Sequence, residues 1–192
     1  MGYSISWIAF EGRTAPQAAE MLNLSCSGEF DEVPRSLFSG ASFQTGWYVV
    51  VIDRFAHKFV SDGSLRRLSG SGRVIAASTE EHVMFSSAEE WSGGNRAWKV
   101  SHESEKGPRH LKEEGVLPEG YASIKQRLLA QQQREDDGAK EVDYVIEVPL
   151  QLAESIVGYK HDKALEARFE ILKPGSGSSG GGLISRWLRR KP

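Results

Sequence analysis

Histidine is the side chain best suited to proton transfer near neutral pH, and this chain carries five. His102 is followed at once by Glu103, and His110 comes eight residues on. Two imidazoles and one carboxylate form a nitrogen–oxygen ligand set of the kind that holds zinc or manganese, provided that the Gly107-Pro108 stretch folds back. Asp53 and His57 form a second pair just past an apolar run, a place where loops often carry active sites. Neither spacing fixes the geometry. Two histidines four apart on a helix share a face; two that span a Gly-Pro loop depend on the fold to meet.

Other reactive types are sparse. Cys26 is the only cysteine, so an internal disulfide and every multi-thiolate site are excluded. It is expected in a loop over residues 23–28, with no special role. Carboxylates stand side by side at Glu80-Glu81, Glu89-Glu90, Glu113-Glu114 and Asp136-Asp137. Neighbours on a strand point to opposite faces, so adjacency does not pair them for acid–base work. The chain has no GxxxxGK[ST], HExxH or GxSxG motif. Ser69-Gly70-Ser71-Gly72 could present amides to an anion, but without the lysine and flanking elements of a phosphate loop it reads as a turn. Trp91 and Trp98 flank a Ser-Gly-Gly-Asn turn and are expected to face each other across a hairpin, mainly as packing.

The elements that would position these residues follow from periodicity. Tyr3–Phe10 reads as a strand, and Thr14 with Gln17 three residues later makes a capping box for a helix over Ala15–Leu22. Residues 25–46, rich in serine and glycine, read mostly as loop. Trp47–Ile52 (WYVVVI) is apolar on both faces and belongs at the centre of a covered sheet. One helical turn is expected around Ser64–Leu68. Three strands follow: Val74–Thr79, His82–Ala88 and Arg96–His102. Residues 103–115 read as an exposed connector. Pro118 opens a helix to about Arg134, with Tyr121, Ile124, Leu128 and Leu129 as its apolar stripe. Val142–Val148 reads as a strand, Pro149–Val157 as a helix stopped by Gly158, and Leu165–Ile171 as a half-buried strand. The order predicts an α+β fold: one domain over residues 1–173, a mostly antiparallel sheet and about three helices packed on it.

The 192 residues are 39% hydrophobic and 26% charged, enough apolar content for a real core. No run approaches the roughly 18 apolar residues of a membrane helix, and without a basic segment followed by an apolar stretch at the start no secretory signal is expected. With the lone cysteine, this points to the cytoplasm.

Charge is unevenly spread. Residues 174–192 hold Arg186, Arg189, Arg190 and Lys191 with no acid, a balance of +4. The rest holds 20 basic and 26 acidic side chains, a balance of −6, which argues against nucleic acid as a ligand of the body. Residues 174–182 are only proline, glycine and serine, a flexible tether spanning about 15–18 Å on average. In residues 183–192, Leu183, Ile184, Trp187 and Leu188 make one apolar stripe, with the four cations on the remainder. A segment so short is expected to order only when its stripe is covered. A groove on a protein partner or a neighbouring copy, the acidic body itself, and an anionic membrane surface all fit.

The preferred expectation is a compact, cytoplasmic, non-enzymatic binding or adaptor protein, bacterial in its economy. No cofactor is expected, and contact runs through Leu183, Ile184, Arg186, Trp187, Leu188, Arg189, Arg190 and Lys191. The competing expectations are a small metal-dependent hydrolase using His102, Glu103 and His110, with Asp53 and His57 as fallback, and a peripheral membrane protein held by residues 183–192.

Overall fold

The computed structural model describes residues 2–137, 142–163 and 167–175. Its first half holds β1 (Ser4–Glu11), α1 (Ala15–Met21), β2 (Leu24–Asp31), β3 (Phe38–Ser42), β4 (Trp47–Ile52) and α2 (Asp62–Leu68). Then come β5 (Val74–Glu80), β6 (Phe85–Ser92), β7 (Asn95–Glu103), β8 (Lys112–Gly115), α3 (Tyr121–Asp137), α4 (Glu147–Val157) and β9 (Phe169–Pro174). The strands form one sheet in the order β2-β9-β3-β4-β1-β5-β6-β7-β8. Every neighbouring pair is antiparallel. The architecture is α+β.

Alternation along the strands sends side chains into two cores. Trp47, Val49 and Val51 of β4 join Trp7 and Ala9 of β1 against α3 and α4. Tyr48, Val50 and Ile52 join Ile8 and Phe10 against α1 and α2. All six residues of β4 are buried, as a strand covered on both sides requires. Burying each such side chain is worth about 1.5–3 kcal/mol, so β1 and β4 anchor the molecule.

Local chemistry sets the helix ends. Gln17 Oε1 accepts from the Thr14 amide at 3.0 Å, and Pro16 sits harmlessly in the first turn of α1. Gly158, at φ +85°, closes α4 in the left-handed conformation that a glycine adopts without strain.

Several expectations need correction. Residues 25–46 are not mostly loop: β2 and β3 lie there, and Cys26 sits in β2. Their hydrogen-bonding partner, β9, arrives about 145 residues later and slots between them, pairing Leu24 with Pro174 and Ser39 with Ile171. Val142–Val148 is no strand. Asp143 Oδ1 accepts from the amides of Val145 and Ile146 at 2.8 and 3.2 Å, which turns the chain into α4 and overrides the β-branched preference. The strand expected from His82 starts at Phe85, because Glu81–Val83 forms a 3₁₀ turn with Met84 left-handed after it. The connector over 103–115 ends in the edge strand β8. Trp91 and Trp98 do not meet. A bulge at Glu90/Trp91 sets Trp91 opposite Arg96 and Trp98 opposite Glu90, and the indoles enter different cores.

Candidate functional site

His102 sits on β7 with no solvent exposure, on the face covered by α4. Both ring nitrogens are engaged: Nδ1 lies 2.7 Å from the His110 carbonyl oxygen and Nε2 2.8 Å from Asp143 Oδ2. Burial works against a charge here, but the hydrogen bonds to Asp143 and the His110 carbonyl outweigh it and raise the pKa above the ordinary value. Both ring nitrogens thus face oxygen acceptors, a carbonyl and a carboxylate. The ring ties β7 to the 107–111 loop and to Asp143 in the turn ahead of α4, and both its nitrogens are taken up by protein partners.

Glu103, the next residue, faces the other side of the sheet and pairs with Lys106 at 2.8 Å. His110 meets His102 through its backbone rather than its ring; its own Nδ1 is buried without a hydrogen-bond partner among the described residues. Among the described residues no three His, Cys, Asp or Glu side chains gather to hold a metal ion.

Asp53 is exposed just beyond β4, and its amide donates to the Leu37 carbonyl at 3.0 Å. His57 is half-buried, and its Nδ1 accepts from the Phe59 amide at 3.2 Å. Burial first, then the cations Lys58 and Arg54, hold its pKa below the ordinary value. With Nδ1 accepting, the neutral ring carries its proton on Nε2. The imidazole is edge-on to Phe38 and Phe59, with centroids 5.4 and 4.5 Å away.

His57 is also part of the wall of a cleft of about 600 Å³. Six elements build it: the end of α1, the starts of β2 and β3, the 3₁₀ turn Lys58–Val60, α2, and the end of β9. Leu22, Leu24, Phe38 and Phe59, all buried, form its floor. Lys58, Arg67, Glu20 and Pro174 stand at its rim.

Sequence reasoning named the doublet Glu89-Glu90, which lies on β6, but missed its burial and its ion pairs. The two carboxylates are buried on opposite faces, as strand alternation requires. Glu89 accepts from Trp91 Nε1 (2.7 Å), Arg96 Nε (2.8 Å) and Lys99 Nζ (3.1 Å). Glu90 accepts from Arg73 Nε (2.9 Å) and Nη2 (3.1 Å) and from Trp98 Nε1 (3.0 Å). Each arginine also lies over an indole, Arg96 over Trp91 at 4.8 Å and Arg73 over Trp47 at 5.4 Å. The signal lay in the alternation of Glu, Trp, Arg and Lys through residues 89–99. These groups saturate one another and hold β5, β6 and β7 together.

Cys26 is half-buried, and burial, reinforced by a hydrogen bond to Glu170, pushes its thiol up to about 11, so it stays protonated. The Ser69–Ser71 stretch is a 3₁₀ turn. Its backbone receives a hydrogen bond from Arg13 Nη2 at the Ser71 carbonyl, 2.5 Å. The tether beyond Gly175, and Leu183, Ile184, Arg186, Trp187, Leu188, Arg189, Arg190 and Lys191, lie outside the described residues. Its root is described: Pro174 ends β9 at the rim of the cleft, and the Gly175 amide donates to the Asn23 carbonyl at 2.9 Å.

Fold and cleft together define an α+β protein with helices on both faces of an antiparallel sheet and a binding-sized hollow on one of them. No protein-family model, curated protein or solved structure gives a significant match to the chain.

Proposed function

We propose that this is a non-enzymatic binding or adaptor protein whose C-terminal segment, residues 183–191, contacts a protein partner or a neighbouring copy. The observation that carries the reading is compositional: a segment of +4 with one apolar stripe follows nine residues of proline, glycine and serine, on a body of −6. Such a stripe gains most when it lies in a groove, and the four cations choose an acidic rim for it. Rooted at Pro174, a proline-glycine-serine stretch of this length would span about 15–18 Å on average as a coil, within reach of the body's acidic surface. The reading places the protein in the cytoplasm. No described helix is long and apolar enough to cross a membrane.

The test compares the full chain, a chain ending at Gly175, and the Trp187→Ala/Leu188→Ala variant. Crosslinking with mass spectrometry and sedimentation give the readouts. A specific partner or a dimer formed by the full chain is expected to vanish in both variants. Identical crosslinks and identical mass in all three would overturn the reading. Attachment instead to anionic vesicles, lost in the Trp187→Ala variant, would move the segment to a membrane surface and remove the protein-partner reading too.

A further inference from the structure

We infer that the cleft between α1, α2 and the end of β9 binds a small monocarboxylate with an apolar body, such as a medium-chain or aryl carboxylic acid. This site is separate from the segment at residues 183–191 and does not rest on its role.

Three features of the cleft point there. Its size, about 600 Å³, falls within the roughly 300–1,000 Å³ of small-molecule sites. Its floor is hydrocarbon: Leu22, Leu24, Phe38 and Phe59 are buried side chains whose outer faces line the hollow. Above that floor stand two cations without a carboxylate partner among the described residues, Lys58 and Arg67. Arg67 Nη1 reaches only the Met21 carbonyl, at 3.4 Å, and Lys58 Nζ lies 5.8 Å from the centre of the Phe59 ring. Other surface cations, by contrast, are closed off by acids, Arg96 by Glu89 and Asp62, Lys112 by Glu114 and Lys106 by Glu103, while those that are not, such as Arg13, Arg127 and Arg168, do not line this apolar floor. Among the described residues Glu20 is the one carboxylate at this rim, so the cations Lys58 and Arg67 outnumber it.

The arrangement suits an amphipathic anion. A carboxylate can take two charge-assisted hydrogen bonds from the Arg67 guanidinium and a further contact from Lys58, while its apolar body covers the aromatic floor. His57, with its proton on Nε2, adds a neutral donor in the same wall. The chain's own apolar segment is a poor occupant, since its stripe comes with Arg186, Arg189, Arg190 and Lys191 beside a rim of the same sign.

Isothermal titration with decanoate, 2-naphthoate, decanol and decylamine tests the inference on the full chain and on the chain ending at Gly175. Either acid or both are expected to bind at least about tenfold tighter than decanol, and decylamine not at all. Lys58→Glu and Arg67→Glu, both exposed and expected to leave the melting temperature unchanged, should each weaken the acids by about tenfold or more. Arg13→Glu, outside the cleft, should not. Equal affinity for decanoate and decanol, undiminished binding in both charge reversals, or no heat at millimolar ligand would overturn the inference. So would binding by the shortened chain alone, since the chain's own segment would then be the occupant. Apart from that last outcome, which would place the segment in the cleft, these results are independent of the crosslinks that test residues 183–191.

Discussion

His102 and His161 are both sealed from solvent, yet their surroundings push them in opposite directions. His102 gains Asp143 and a carbonyl, and its pKa rises despite burial. The His161 side chain is 3% exposed, with the Tyr3 ring edge-on 4.6 Å away and Glu81 Oε1 at 3.6 Å, too far for a hydrogen bond; burial lowers its pKa. Relative to the ordinary value of 6.5, the raised group stabilises the fold below pH 6.5, and that contribution is lost as pH rises through its folded pKa. The lowered group does the reverse: its contribution is present above pH 6.5 and is lost as pH falls toward its folded pKa. Melting curves from pH 5 to 9 should therefore separate the two. His102→Gln is expected to lose more stability at pH 6 than at pH 9, and His161→Phe to remove part of the wild-type loss on the acid side. Breaking the buried His102–Asp143 pair should cost about 3–5 kcal/mol at the acid end. Sequence reasoning brought His102 and His110 together, and they do touch. It missed the nature of the contact, because the partners that define this ring are a backbone carbonyl and an aspartate 41 residues away. Glu89 and Glu90 repeat the lesson: their opposite faces were readable from the strand period, their burial and their arginines were not.

Elements with strong internal pattern were readable, and those defined by distant partners were not. β1, β4, α1 and α3 each carry their own alternation, cap or stripe. β2 has only a patchy alternation, and its one hydrogen-bonding neighbour is β9, so no local window reveals it. The start of α4 reads as a strand until Asp143 is seen to take two amides. The edge strand β8 is held in a similarly specific way. Gly115 has φ +78°, and a Cβ there would lie 2.1 Å from the Ala97 carbonyl oxygen. Gly115→Ala is expected to peel β8 from β7. Amide exchange over Lys112–Gly115 should quicken by an order of magnitude or more while the β1–β4–β5 amides keep their protection, because the edge strand opens below the free energy of global unfolding. Equal protection across β8 in the variant would show that the edge tolerates the side chain.

For the molecule as a whole, the α+β class and the antiparallel sheet were legible because strands and helices segregate along the chain. The strand order was not, since it depends on which edge the last strand joins. β9 does not join an edge; it enters between β2 and β3. Until residues 169–174 have been synthesised, both of those strands present raw hydrogen-bonding edges, and the floor of the cleft lacks its last support. The nascent chain must keep two strand edges open and unglued for nearly its full length. Pairing across so long a loop is slow to nucleate. A chain cut at residue 167 is expected to aggregate, whereas one cut at 175 folds cooperatively. Self-complementary open edges of this kind would also accept β9 from a sister molecule, so crowded synthesis or refolding at high concentration should yield strand-exchanged dimers that slow dilution avoids.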